Sequence, residues 1–513
     1  MSRLSQAVGE ALGAAAPLAQ RIPGFVVRPA QQRLAMAVAE AFEQRGVLLA
    51  EAGTGVGKTF AYLVPALLSG MKTIISTGTR ALQDQLYLRD LPRVRDALGT
   101  GLKTALLKGR ANYLCRHRME LAKGDPQLFK GGFSSRDQVS QFQRVVAWSG
   151  RTRMGDLAEL EALPEDSPLL PQITSTADNC IGTDCPFWGE CFVVQARQRA
   201  QTADLVVVNH HLLLADLAPK QEGFGEILPG APAFVVDEAH QLPELAAQFF
   251  GEGLGARPLV ELARDAIGEC KEVAGSLATL QEPARELEQA ARALRASMDN
   301  LPVRGTAWRA LDEVDIEPAF QALADALQRM QDTLEPLREA APGFDACHLR
   351  ARDQLGRLHR WLGEAPLHEA DDDASDDIAP DTSVHWYELT PRGFRLQRTP
   401  LDVSGPLRRH REESRASWVF TSATLAVSGS FSHIAQRLGI DAAVELLEPS
   451  PFDWDRQALC YLPPRLPEPS SRDYGTALMD ALMPVLHASG GRAFLLFASH
   501  RALREAAELL RDA

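Results

Sequence analysis

Four groups of residues in this chain could do chemistry: Glu51-Ala52-Gly53-Thr54-Gly55-Val56-Gly57-Lys58-Thr59, Asp237-Glu238-Ala239-His240, Thr421-Ser422-Ala423-Thr424, and the cysteines Cys115, Cys180, Cys185 and Cys191. In the first, glycines without a Cβ let backbone N–H groups turn toward phosphate oxygens. Lys58 would set a point charge against the β- and γ-phosphates of a nucleotide, and Thr59 would offer its hydroxyl to Mg²⁺. The strict pattern has glycine where this chain has Ala52. In the second, Asp237 would hold Mg²⁺ through its water shell and Glu238 would orient and polarise an attacking water. In the third, small hydroxyl side chains could bond the carboxylate loop. Alone, the second and third groups are an acidic loop and a turn; their order after a phosphate cradle gives them meaning. Cys180, Cys185 and Cys191 are close enough to share one centre, while Cys115 lies far upstream. Four thiolates suit either a [4Fe–4S] cluster or structural zinc, and spacing does not separate the two.

These groups need elements to carry them. Val47-Leu48-Leu49-Ala50 reads as a strand feeding the cradle, and Phe60 to Leu68 as the helix leaving it. Thr73 to Thr77, Leu205 to Asn209, Ala233 to Asp237 and Ser417 to Thr421 read as further buried strands. The alternation of strand and helix predicts an α/β fold around a parallel sheet. Arg28-Pro29-Ala30-Gln31 opens an amphipathic helix, and residues 1–24 form a leading helix broken at Pro23-Gly24. Residues 126–178 are polar and irregular, so the cysteine region reads as an insertion. From 241 to about 365, apolar residues recur at helical spacing with no strand signal, giving a second insertion. Asp371-Asp372-Asp373-Ala374-Ser375-Asp376-Asp377 reads as a loop, and His385 to Val403 as a hairpin around Pro391-Arg392-Gly393. After Leu425 a new α/β unit is expected, with strands near Leu459–Leu462 and Ala493–Phe497.

Bulk properties set limits. At 513 residues the chain is long enough for several domains. Its net charge of −13 means that nucleic acid is not attracted to the whole molecule and must find local basic surfaces. No apolar run is long enough to cross a bilayer, and the first residues lack a charged-then-apolar signal. The expectation is a soluble, cytoplasmic monomer without membrane contact. Seven cysteines, four of them in one region, favour metal or redox chemistry over disulfides. Cys270, Cys347 and Cys460 stand alone and read as packing residues.

Ala-x-Thr-Gly-x-Gly-Lys-Thr, Asp-Glu-Ala-His and Thr-Ser-Ala-Thr, in this order, resemble a superfamily 2 helicase motor. Lys108-Gly109-Arg110-Ala111-Asn112-Tyr113-Leu114-Cys115 looks like the start of the iron–sulfur domain of the XPD/DinG branch, and Ser450-Pro451-Phe452 and Phe494 to Ser499 resemble landmarks of its second motor lobe. The resemblance implies a RecA-like motor domain (1–101, 204–245 and 384–425) carrying an iron–sulfur domain (102–203) and a helical arch (246–383), then an incomplete second RecA-like domain (426–513). It implies an ATP-dependent DNA helicase with 5′-to-3′ polarity acting in repair or replication on single-stranded and forked DNA. ATP and Mg²⁺ would bind at Ala52 to Thr59, with Gln31 recognising adenine. A [4Fe–4S] cluster would sit on Cys115, Cys180, Cys185 and Cys191. It also implies the chi subunit of the replicative polymerase as a partner. The basic run suits a strand path beside the cluster, so Lys103, Lys108, Arg110, Arg116 and Arg118 are expected DNA contacts. No Gln-x-x-Gly-Arg pattern follows Arg501, so duplex unwinding by these 513 residues alone is not expected. The rival readings are an ATP- and single-strand-binding module without turnover, and a zinc-containing ATPase acting on RNA.

Overall fold

A computed structural model describes residues 2–123, 136–160, 163–164, 167–217, 227–271, 273–312, 316–363 and 383–511. The acidic run Asp371 to Asp377 lies outside them. The described chain divides into two compact units, Met1–Ser450 and Pro451–Ala513.

The first unit is built on a seven-stranded parallel sheet. Its strands are β1 (Val47–Ala52), β2 (Thr73–Thr77), β3 (Thr104–Leu106), β4 (Leu205–Asn209), β5 (Ala233–Asp237), β10 (Ser417–Ser422) and β11 (Val444–Glu448), in the order β11-β1-β10-β5-β2-β4-β3. Successive residues of each strand point to opposite faces, and both faces are covered. Leu48, Ala50, Ile75, Val207, Val235 and Val419 enter one core, beneath the helices Pro29–Gln44 and Lys58–Leu68. Leu49, Ile74, Val206, Val208, Phe234, Val236, Trp418 and Phe420 enter the other. That second core runs on without a break into the cysteine insertion, through Tyr113, Leu114, Phe142, Trp148, Ile173 and Phe192. The insertion is therefore packed onto the sheet. Its stretch read as irregular includes a helix, Arg136–Ser149.

The helical insertion has its own core. Helices Ala256–Glu269, Ser276–Ser297, Glu317–Leu334 and Pro342–Leu362 bury Leu259, Leu287, Leu323, Leu327, Phe344 and Leu358. A four-stranded antiparallel sheet closes one side: β6 (Glu252–Gly255), β7 (Arg304–Thr306), β8 (Ser383–Thr390) and β9 (Gly393–Pro400), ordered β6-β9-β8-β7. The expected hairpin is β8–β9, paired in register from Ser383↔Pro400 to Thr390↔Gly393. It differs from expectation in its allegiance. Tyr387, Leu389, Phe394 and Leu396 belong to the core of the helical insertion, so the hairpin does not extend the motor sheet. β6 and β7, at four and three residues, are too short to carry a periodic pattern.

Two expectations after Leu425 change. β11 pairs with β1, Leu48 opposite Val444, so the first unit runs on to Ser450. The second unit contains helices Tyr474–Ser489 and His500–Leu509. The segments 459–462 and 493–497 are not strands among the described residues. A strand persists through ladder bonds to a neighbour, and these segments have none: Leu459 is 93% and Phe494 97% exposed.

Candidate active site at the carboxyl edge of the motor sheet

The cradle is a turn that only glycine fits at two positions. Gly55 and Gly57 adopt φ of 94° and 89°, which side chains resist. Gly57 then caps the helix Lys58–Leu68 without a side-chain acceptor, leaving the first N–H groups of the helix for an anion. Val56 is fully buried beneath the turn. Lys58 Nζ contacts the Ala52 carbonyl at 3.4 Å. Gln31, expected at the adenine, lies against the cradle. It is 2% exposed, and its Nε2 donates to the Gly57 carbonyl at 2.9 Å.

β5 delivers Asp237 and Glu238 beside the cradle. Asp237 is gripped at both oxygens: Tyr62 Oη donates to Oδ2 at 2.9 Å, and the Glu238 N–H donates to Oδ1 at 3.0 Å. Burial, then the charge of Glu238, push the Asp237 carboxyl up to about 6, while Tyr62 and Lys58 pull the other way. Glu238 has φ of 56°, a left-handed backbone that costs a non-glycine residue about 1–2 kcal/mol. Its side chain is held as the hydroxyl turn was expected to hold it. Ser422 Oγ donates to Glu238 Oε2 at 3.1 Å and lies 2.7 Å from His240 Nδ1. The register places Thr421 opposite Asp237, so β10 and β5 end together.

The supporting roles of three residues escaped the sequence reading. Tyr62 is one. Glu51 is another: its Oε2 accepts from the Leu425 and Ala426 N–H groups at 2.6 and 2.7 Å, tying the cradle strand to the chain after the Thr-Ser-Ala-Thr turn. His210, fully buried at the end of β4, lies 2.7 Å from Ser76 Oγ through Nδ1. Burial holds its pKa down at about 4, so it is neutral, although the Glu238 and Asp237 main chain acts in the opposite sense. Helical spacing alone could have flagged Tyr62, three residues after Thr59 on the same face.

The cysteine region presents a different arrangement. Burial first, then Cys180, Cys185 and Cys191, push the Cys115 thiol up to about 11, so the four thiols lie within electrostatic reach of one another. Arg110 Nη1 donates to Cys180 Sγ at 2.8 Å. Burial and Arg110 lower the Arg197 guanidinium to about 10, against the opposing pull of Cys180 and Cys191. Among the described residues, no three His, Cys, Asp or Glu side chains converge as one metal ion would require.

The expected DNA stripe is not assembled. Lys108 is 5% exposed and pairs with Asp84 and Asp156, each at 2.9 Å. Burial opposes its charge, but the two carboxylates outweigh burial and raise its pKa. Arg118 pairs with Asp265, whose other oxygen accepts from Arg350 at 2.7 Å, joining the cysteine insertion to the helical one. Arg116 faces Glu190 at 3.4 Å and stacks on Phe192. Arg110 is turned to Cys180. Of the five, Lys103 is the exposed one. Reaching a phosphate with Lys108 or Arg118 would break an internal ion pair.

A glycine-rich turn capping a helix, with carboxylates at the end of a neighbouring strand and hydroxyls closing the next, defines a P-loop nucleoside triphosphatase of the helicase kind. The comparisons agree. The DEAD/DEAH box helicase family profile matches residues 28–127. The ATP-dependent DNA helicase YoaA of Escherichia coli is 42% identical over 96% of this chain and 75% of its own length. YoaA of Haemophilus influenzae is 40% identical over 96% and 74%, and the ATP-dependent helicase DinG of Mycobacterium tuberculosis is 32% identical over 95% and 74%. The chain belongs to the YoaA/DinG family of ATP-dependent DNA helicases.

Proposed function

We propose that hydrolysis at this sheet edge drives 5′-to-3′ movement along single-stranded DNA and the opening of forked duplexes in repair or replication, with the roles as follows. The observation that supports it most is the grip on Glu238. Ser422 takes Oε2, so Oε1 is left to orient a water against the γ-phosphate. The cradle N–H groups and Lys58 receive the phosphates. Thr59 and Asp237 would hold Mg²⁺, which supplies charge neutralisation at the phosphate oxygens. The donor set fits: a hydroxyl at the cradle helix and a carboxylate fixed at both oxygens. Phosphoryl transfer asks for placement and charge complement more than covalent help, and that is what the edge provides.

Cys115, Cys180, Cys185 and Cys191 would hold a [4Fe–4S] cluster. Thiols in mutual electrostatic reach, with Arg110 and Arg197 beside them, suit an anionic thiolate cluster. Held there, the cluster would tie Cys115 to the segment that carries Cys180, Cys185 and Cys191.

The test pairs two variants with forked substrates of each polarity. Glu238→Gln binds Mg-ATP but neither hydrolyses it nor opens a 5′-tailed fork. Turnover equal to wild type would overturn the role of Glu238, and opening of 3′-tailed forks alone would overturn the polarity. Iron and acid-labile sulfide in anaerobically purified protein, both lost in Cys185→Ser, support the cluster; zinc without iron overturns it.

A further inference from the structure

Tyr62 does more than fill the core beneath the cradle. It stands on the helix Lys58–Leu68, three residues after Thr59 and four after Lys58, where helical spacing puts all three on one face. Its side chain is 1% exposed. Its hydroxyl reaches out of that helix to Oδ2 of Asp237 at 2.9 Å, and the Thr59 hydroxyl acts on the same phenol. The other Asp237 oxygen is held by the Glu238 N–H.

We propose that Tyr62 is a positioning residue for the divalent cation: its hydroxyl locks Asp237 to the helix that carries Thr59, so the two groups that face Mg²⁺ are set by one rigid element. Asp237 comes from β5 and Thr59 from the cradle helix, elements with no covalent reason to keep their spacing. Without the phenol, Asp237 keeps among the described residues a single side-chain hydrogen bond, from its own neighbour, and can rotate about its side-chain torsions. An outer partner of this kind orients a cation-facing carboxylate without touching the cation.

The inference rests on the Mg²⁺ roles proposed for Thr59 and Asp237. Tyr62→Phe removes one oxygen and keeps the ring. ADP affinity is measured by calorimetry with and without Mg²⁺, for wild type, Tyr62→Phe, Asp237→Asn and the double variant, with thermal melts confirming folding. Tyr62→Phe should bind Mg²⁺-free ADP as wild type does and lose roughly tenfold of the Mg²⁺-dependent gain in affinity. In the Asp237→Asn background it should add nothing. An unchanged Mg²⁺ gain in Tyr62→Phe overturns the inference. So does an equal loss with and without Mg²⁺, which would make the phenol a general brace of the cradle, or a full effect in the Asp237→Asn background. If Mg²⁺ does not strengthen ADP binding to wild type at all, the roles of Thr59 and Asp237 fail instead. Should Tyr62→Phe melt before binding can be read, the double-variant comparison is made with Tyr62→Trp, whose ring nitrogen is a donor displaced from the phenol position; retention of the full Mg²⁺ gain there overturns the inference.

Discussion

The carboxyl edge of the motor sheet and the cysteine insertion both concentrate charged side chains, and they treat them in opposite ways. At the sheet edge the charges are left under-compensated. Lys58 reaches the Ala52 carbonyl at 3.4 Å, Asp237 is half-buried beside another carboxylate, and Glu238 sits in a left-handed backbone. In the insertion, Lys108 has two carboxylates and Arg118 shares Asp265 with Arg350. A charge that its own fold leaves wanting marks a place for a ligand; a charge that its fold satisfies is architecture. Sequence shows the residue type in both cases and hides which case applies.

The largest effects should fall at the sheet edge. Lys58→Ala should cost several kcal/mol of transition-state stabilisation, roughly a hundredfold or more in ATPase rate, with the melting temperature unchanged. Retained turnover would dissolve the contrast from one side. Next, Lys108→Ala should act on the fold. It strands two carboxylates, a loss on the order of 3 kcal/mol read as a lower denaturation midpoint, while the salt dependence of single-strand affinity stays as in wild type. A flattened salt slope with unchanged stability would return Lys108 to the DNA path.

Asp237 gives the pH test. Its folded pKa, about 6, lies above the carboxylate reference of 3.8, so the folded state favours the proton. The nucleotide-free protein should gain stability as pH falls from 7 toward 4 through this group, and lose that gain as pH rises through 6. Asp237→Asn should therefore raise stability at pH 7, by on the order of 3 kcal/mol, while abolishing turnover. A destabilised Asp237→Asn would show that the edge is not strained for its ligand. The smallest effect belongs to Lys103, the exposed one of the five expected DNA contacts. Lys103→Ala should leave stability within about 0.5 kcal/mol and flatten the logarithmic salt slope of single-strand affinity by roughly one unit.

The motor was legible because its signals are local. Val47 to Ala50 and Phe234 to Val236 are continuous apolar runs that suit strands buried on both faces, and glycines mark the turn that follows the first. The hydroxyl of Ser422 was expected near the carboxylates from motif order, and it bonds Glu238. What stayed hidden depends on partners far away in the chain. Asp156 and Asp84 decide that Lys108 is internal. Leu425 and Ala426 give Glu51 its task. The hairpin 383–400 shows the same limit: alternation predicts two paired strands and cannot say which core they will join.

The place of β1 in the sheet has a further consequence, for the order of events during synthesis. The cradle strand is flanked by β10 and β11, both made long after it. A ribosome that has released only the first four hundred or so residues has exposed the whole phosphate-binding motif and neither of its neighbours. Nascent chains therefore cannot hold nucleotide in a finished cradle until Val444–Glu448 has emerged and closed the sheet, and such late, long-range closure is slow. Nucleotide added to stalled nascent chains should protect β1 from protease only when the stall lies beyond β11.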